Sequence, residues 1–82
     1  MATVLRTSGF QFRIYANDHK PSHVHVFHGA EEAVFELQHD LAAPVILRTW
    51  MRPSLLRRAY ALVVRHQTVL LAAWHGIHGD RS

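Results

Sequence analysis

The sequence contains no cysteine, few proline and glycine residues, and no long apolar run. Without cysteine the fold cannot contain a disulfide. A transmembrane helix needs about 20 consecutive apolar residues, so no membrane contact is predicted. The first residues, Met1-Ala2-Thr3, lack the basic stretch and the apolar run of a secretory signal. Together with the absence of cysteine, this predicts a cytoplasmic protein.

The length of 82 residues leaves room for one hydrophobic core, so we expect a single domain over residues 1–82. Hydrophobic residues make up 49% of the chain and charged residues 18%, which is typical of a globular protein. A chain this short usually buries only about 60% of the surface that its unfolded form exposes. Proteins of this size are therefore often stabilised by a metal or a partner chain.

Acidic residues are missing from most of the second half of the chain. Residues 1–40 contain five acidic and three basic residues, a net charge of −2, whereas residues 41–79 contain five arginines and no acid, a net charge of +5. Such a basic half could attract nucleic acid or an acidic protein. The alternative is that the two halves neutralise each other within the fold or across a homodimer.

The first half alternates apolar and polar residues with a period of two, the pattern of half-buried strands. It predicts strands near residues 3–6, 10–15, 23–28 and 33–37, and a fifth over 45–50, which makes a sheet of four or five strands. Turn residues separate the first pair at Ser8-Gly9 and the second pair at Gly29-Ala30. The strands are therefore expected to pair as antiparallel hairpins.

The third and fourth strands predict a polar group on one face of the sheet. Val24 and Val26 share the apolar face with the odd-numbered positions of the fourth strand, so His23 and His25 project from the other face. With either plausible length of the loop between these two strands, Glu36 lies opposite one of the two histidines. We therefore expect His23, His25 and Glu36 to lie together, pointing away from the apolar face.

From Pro53 onward the pattern changes to that of one long or kinked helix, which ends at Gly76 or Gly79. Its apolar stripe, expected to pack on one face of the sheet, consists of Leu56, Ala59, Val63, Leu70, Trp74 and Ile77. Val64 and Leu71 lie on a flank that widens the apolar arc past half the circumference. That is more than a small sheet needs, so a kink near His66-Gln67 or a bound second chain is expected. The fold class is α+β.

The segment from Asn17 to His28 is rich in histidine and predicts the working surface. His23 and His25 could bind a divalent metal, with Glu36 or Asp18 as the carboxylate ligand. The same side chains could instead act as general acid and base on a phosphodiester. A third interpretation is an exposed strand face that tolerates histidine. No cofactor is expected, and a divalent metal is the one alternative. Asp18 and His19 are predicted binding residues in either functional case.

The exposed stripe of the helix carries Arg58 and Arg65 with no acidic neighbour. The simplest interpretation of these arginines is a solvated helix face, and the rival role is contact with phosphates. One long helix is all that the second half offers, so the sequence has no helix-turn-helix pattern.

Three stretches resemble a family of small bacterial proteins known as domain of unknown function 4160. They are Asn17-Asp18-His19 with Pro21 and His23-Val24-His25-Val26; Gly29 with Ala33, Phe35 and Leu37; and Leu70-Leu71 with Trp74 and Ile77-His78-Gly79. The resemblance spans nearly the whole chain, although Ser22 stands where many relatives have a second proline and the helix is more basic than theirs. It implies a component of a toxin-antitoxin-like gene pair, encoded beside another small protein.

Three functions are expected from these observations. The first is a module component that binds a small partner protein, or a second copy of itself as a dimer, through Val64 and Leu71. The second is a small His-dependent nuclease or other phosphate-acting enzyme that uses His23, His25 and Glu36. The third is a nucleic-acid-binding regulator.

Overall fold

The computed structural model describes residues 2–79 as an antiparallel sheet followed by one helix. The elements are β1 (Ala2–Thr7), β2 (Phe10–Ile14), β3 (His23–His28), β4 (Glu31–Glu36), β5 (Val45–Thr49) and α1 (Pro53–His78). The predicted α+β class is confirmed, with five strands. Residues 1 and 80–82 of the predicted domain lie outside the described residues.

The sheet has the order β1-β2-β3-β4-β5, and every strand is antiparallel to its neighbour in sequence. Tight turns at the predicted positions allow consecutive strands to pair in the antiparallel direction. Ser8 and Gly9 both have positive φ angles, 54° and 82°, as a type I′ turn requires. Gly29, with φ of 59°, begins the two-residue loop between β3 and β4. The order leaves β1 and β5 as the two edge strands.

The predicted parity of the β3–β4 hairpin, with odd-numbered positions of β4 opposite even-numbered positions of β3, is confirmed. Val24 pairs with Phe35, Val26 pairs with Ala33, and His23 pairs with Glu36. The apolar face of the sheet and the helix form one core. Its fully or nearly fully buried members are Phe10, Phe12, Ile14, Val24, Val26, Ala33, Phe35, Leu37, Met51, Leu55, Ala59, Val63, Leu70 and Trp74.

The helix is continuous over 26 residues and packs mainly against β2, β3 and β4. Pro53 occupies its first turn, and Gly79 ends it in the left-handed conformation, with φ of 62°. The predicted stripe is buried from Ala59 to Trp74, but at its beginning Leu55 is buried rather than Leu56. Within residues 2–79, no helix combines the length and apolar character needed to cross a membrane.

Gln67 is a polar residue in the middle of the apolar stripe of the helix. Its side chain is buried, and it bonds to the loop between β4 and β5 rather than to solvent. The helix therefore passes through residues 66–67 without a break, and the alternative of a kink there is not needed. Val64, by contrast, is 50% exposed, which leaves the flank of the predicted arc partly uncovered.

Candidate functional site

Asp18 is held by a turn at the end of β2. Its backbone N–H donates to the Tyr15 carbonyl at 3.0 Å, and its Oδ2 accepts a hydrogen bond of 3.2 Å from the Tyr15 backbone N–H. Aspartate favours such turns because its short carboxylate reaches nearby backbone donors. The turn fixes the carboxylate beside the beginning of β3.

Two histidines of β3 meet this carboxylate. Asp18 Oδ2 lies 3.3 Å from His23 Nε2 and 3.4 Å from His25 Nε2. One ligand atom from each of the three residues lies within 4.8 Å of the other two. We call Asp18, His23 and His25 the histidine cluster. Side chains at i and i+2 of a strand share a face, which is why the two imidazoles can approach the same oxygen.

The second nitrogen of each imidazole is also engaged. His23 Nδ1 lies 2.8 Å from the Pro21 carbonyl, and His25 Nδ1 lies 3.0 Å from Glu32 Oε2. A carbonyl and a carboxylate can only accept, so each Nδ1 carries the proton and donates it. When either imidazole is neutral, its Nε2 therefore presents a lone pair toward Asp18.

The cluster is more enclosed than an open strand face. His25 is only 9% exposed, and the edge of its ring contacts Tyr15 with 4.7 Å between ring centroids. The His23 ring lies 5.1 Å from the Trp74 ring of α1. The interpretation of this segment as an exposed face that merely tolerates histidine is therefore wrong for His25.

The position predicted for Glu36 from parity is confirmed, whereas its role in a site stays a prediction. It lies opposite His23 in the register, but the carboxylates that contact the imidazoles are Asp18 and Glu32. Glu32 reaches His25 diagonally across the hairpin, a contact that long side chains make readily. Its even number puts it on the same face as Val34 and Glu36, so parity could have found it. Glu36 instead lines a shallow groove that also includes Lys20 and Ser22.

A cavity of about 300 Å³ opens beside the cluster. Asp18, His19, Lys20, Trp74 and His78 line it. His78 stacks on Trp74 with 3.8 Å between ring centroids and bonds to the Trp74 carbonyl through Nδ1. The predicted binding residue His19 thus lines the cavity and is not a member of the cluster itself.

A second feature is the loop between β4 and β5, which the buried side chain of Gln67 holds from both sides. Gln67 Oε1 accepts from the Gln38 backbone N–H at 2.8 Å, and Gln67 Nε2 donates to the Ala42 carbonyl at 2.8 Å. We call residues 38–42 the clamped turn. Its central residues, Asp40 and Leu41, have φ angles of 59° and 62°.

Leu41 is an unusual residue for this conformation, because a left-handed backbone is costly for a bulky side chain. The side chain is also 86% exposed. Along with Leu71 of the helix, it lines a groove of about 420 Å³. Exposed apolar residues continue from the turn through β5, and we call this surface the apolar edge: Leu41, Val45, Ile46, Leu47 and Trp50.

Comparison with protein families gave a match that covers most of the chain. Residues 9–75 match the family described as Domain of unknown function (DUF4160). The chain belongs to this family. The matched residues include the histidine cluster and the clamped turn of this DUF4160 protein. Comparisons with curated proteins and with solved structures each gave no match.

The arginine stripe of the DUF4160 chain lies apart from the cluster. Arg58 and Arg65 are exposed, as expected. The Arg58 guanidinium carbon is 5.3 Å from the centroid of the Phe10 ring. Arg58 lies 16 residues before Trp74, about 24 Å along the helix. Arg65 faces the other side of the helix from Trp74. The structure therefore does not combine the arginines and the histidines in one site.

An ion pair within the fold partly neutralises the opposite charges of the two halves of the chain. Arg52, before the helix, binds Glu31 of β4 through its backbone N–H at 2.8 Å and through Nε and Nη2 at 3.0 and 2.7 Å. These hydrogen bonds hold the pKa of the Glu31 carboxyl below its ordinary value. This pair links the acidic and the basic halves of the sequence.

Proposed function

We propose that this protein is one component of a two-protein module of the toxin-antitoxin type and acts by binding its small partner protein. The partner contributes a strand that lies along β5 and covers the apolar edge. One observation carries this proposal: Leu41 is almost fully exposed on a turn whose backbone conformation is unfavourable for leucine.

The conformation of Leu41 is the first argument. A non-glycine residue at positive φ costs on the order of 1 to 3 kcal/mol and persists only where the surroundings impose it. Gln67 imposes it here by bonding to both ends of the turn. Strain of this kind concentrates at functional sites. A turn held rigidly around one exposed apolar side chain is well suited to recognition, because little ordering is required on binding.

The exposure of β5 is the second argument. All five residues of β5 are exposed, and the strand has a paired neighbour on one side only. An unpaired strand edge has backbone N–H and C=O groups available to an added strand. Val64, predicted as a binding residue, shares a helix stripe with Tyr60 and Gln67, which bond to Pro44 and Ala42. It therefore extends the same surface, and Leu71 extends it through the groove.

Two other observations support the proposed two-protein module and a cytoplasmic location. The resemblance described above implies a neighbouring small protein, and the cysteine-free sequence favours the cytoplasm. The partner should be acidic on the contacting surface, since residues 41–79 have a net charge of +5. A second copy of this chain is the rival occupant, and it would form a homodimer.

The test is titration of the purified chain with the protein encoded by the adjacent gene. Leu41→Asn should keep or raise the melting temperature, because asparagine tolerates positive φ, yet it should weaken partner binding about 10- to 100-fold through lost apolar burial. The matched control, Asp40→Asn, changes the same turn but keeps Leu41 and should bind normally.

Two outcomes would contradict the proposal. Equal partner affinity of Leu41→Asn and the wild type would remove the apolar edge from the interface. Light scattering that shows a stable dimer of this chain alone, lost in Leu41→Asn, would assign the surface to self-association instead.

A phosphate-acting enzyme is a second candidate, favoured by the His25–Glu32 pair. A carboxylate that orients an imidazole is a common arrangement for a general base. Hydrolysis of a phosphodiester that disappears in the His23→Ala, His25→Ala double variant would support this function. The nucleic-acid-binding alternative predicts affinity that falls steeply with salt and a flatter slope when both Arg58 and Arg65 are changed to Ala.

A further inference from the structure

We infer that Asp18, His23 and His25 form a binding site for one divalent zinc ion. The site lies at the open end of the β3–β4 hairpin, away from the turn that joins the two strands. It does not depend on the proposed partner interface.

The protons of both imidazoles are already placed as a metal site requires. A histidine that ligates zinc through one nitrogen usually donates the other N–H to a carboxylate or a backbone carbonyl. His25 donates Nδ1–H to Glu32, and His23 donates Nδ1–H to the Pro21 carbonyl. Both remaining nitrogens are therefore free to ligate, and both lie next to the same carboxylate oxygen.

Nε2 of His25 is the buried atom in the cluster that is consistent with a positive charge between these groups. This atom is buried and makes no hydrogen bond within residues 2–79, although Asp18 Oδ2 is 3.4 Å away. In the neutral tautomer fixed by Glu32, its lone pair points toward a carboxylate and the two repel. A cation between the three residues changes this repulsion into three attractive contacts.

The distances fit zinc without a large rearrangement. Tetrahedral zinc with ligand bonds of about 2.0 to 2.1 Å requires neighbouring ligand atoms to be about 3.3 to 3.4 Å apart. The oxygen of Asp18 lies at 3.3 and 3.4 Å from the two nitrogens. All three ligand atoms lie within 4.8 Å of one another, so the two imidazoles must approach each other to complete the face of a tetrahedron.

Two nitrogens and one oxygen leave the fourth position of the ion open. Catalytic zinc sites have this composition, whereas structural sites are filled by four protein ligands. The cavity bordered by Asp18, Lys20 and Trp74 provides space at the cluster for a water molecule or an anionic group. The ligand class at the fourth position is therefore water or an anion.

Isothermal titration of the metal-free, folded chain with zinc chloride tests the site. One zinc ion should bind per chain, and zinc should raise the melting temperature of the wild type. Asp18→Asn should lower the zinc affinity at least tenfold and remove that rise. Glu32→Ala should lower the affinity about 10- to 100-fold, as loss of a carboxylate that orients a ligating histidine does. Cobalt substituted for zinc should give the visible absorption of a four-coordinate ion.

The matched control is His39→Ala. His39 stacks on His75 with 5.7 Å between ring centroids and forms a second histidine pair that could take up zinc adventitiously. This variant should bind zinc as the wild type does. No binding to the folded wild type would overturn the inference. So would loss of binding in His39→Ala with normal binding in Asp18→Asn. Leu41→Asn should bind zinc normally, which separates this inference from the proposed interface.

Discussion

Glu32 accepts a 3.0 Å hydrogen bond from Nδ1 of His25, which lies diagonally across the hairpin from it. Changing Glu32 to Ala leaves a donor without its acceptor on a side chain that is about nine-tenths buried. We expect the free energy of unfolding in metal-free buffer to fall by about 1 to 3 kcal/mol. Glu36→Ala is the matched control, since it lies on the same face of β4, and it should cost less than about 0.5 kcal/mol. Urea denaturation measures both, and equal losses would show that the hydrogen bond contributes nothing.

The pair formed by Glu31 and Arg52 predicts a dependence of stability on pH. Hydrogen bonds from Arg52 lower the pKa of Glu31 from its ordinary 4.5. A lowered pKa in the folded state means that the pair stabilises the fold above about pH 4.5 and that this contribution is lost as pH falls through the folded pKa. Melting temperatures of wild type and Glu31→Gln should therefore differ at pH 6 to 7 and converge at low pH. A difference that grew on acidification would contradict this assignment.

Replacement of Gln67 is predicted to affect the clamped turn locally. Replacing it with Met keeps the side-chain volume but leaves the Gln38 N–H and the Ala42 carbonyl without their partners. The loss of stability should be about 1 to 3 kcal/mol. Amide hydrogen exchange at Gln38 should accelerate in this variant. Exchange at Gln38 should stay slow in the neighbouring control, Thr68→Ala, because Thr68 is exposed.

Two adjacent valines of α1 distinguish the core from the uncovered flank. Val63 is fully buried and Val64 is half exposed. Val63→Glu should unfold the chain because it buries an unpaired charge, and Leu70→Glu should do the same. Val64→Glu should stay folded by circular dichroism while weakening assembly with a partner, and Leu71→Glu should also weaken assembly. An unfolded Val64→Glu variant would place this residue in the core instead.

Much of the fold follows from the sequence because each element has one strong local signal. The period-two pattern, the glycine turns and the proline at the beginning of the helix predicted an antiparallel sheet, the parity of the β3–β4 hairpin and the beginning of α1. Strand ends shifted by one or two residues, as at β4, which begins at Glu31 rather than Ala33. Gln67 was less predictable, because its burial depends on acceptor and donor groups in a loop that has no periodic pattern.

The site was predictable in part for a related reason. Parity brought His23 and His25 together and placed one of them opposite Glu36, but it carries no information on how a long side chain is directed. Asp18 belongs to a turn without a periodic pattern, and its hydrogen bonds with the Tyr15 backbone help to position its carboxylate. The contact of Glu32 with His25 is diagonal, so a rule based on directly opposed residues missed it.

The order of the strands has a consequence for how the chain folds. Because each strand pairs with the one that precedes or follows it, the sheet can grow hairpin by hairpin, and each step closes only a short loop at a small entropic cost. Distant parts of the chain must meet only when α1 docks on β2, β3 and β4. Topologies in which paired strands are neighbours in sequence reach the native state faster than sandwiches whose partners are far apart in sequence.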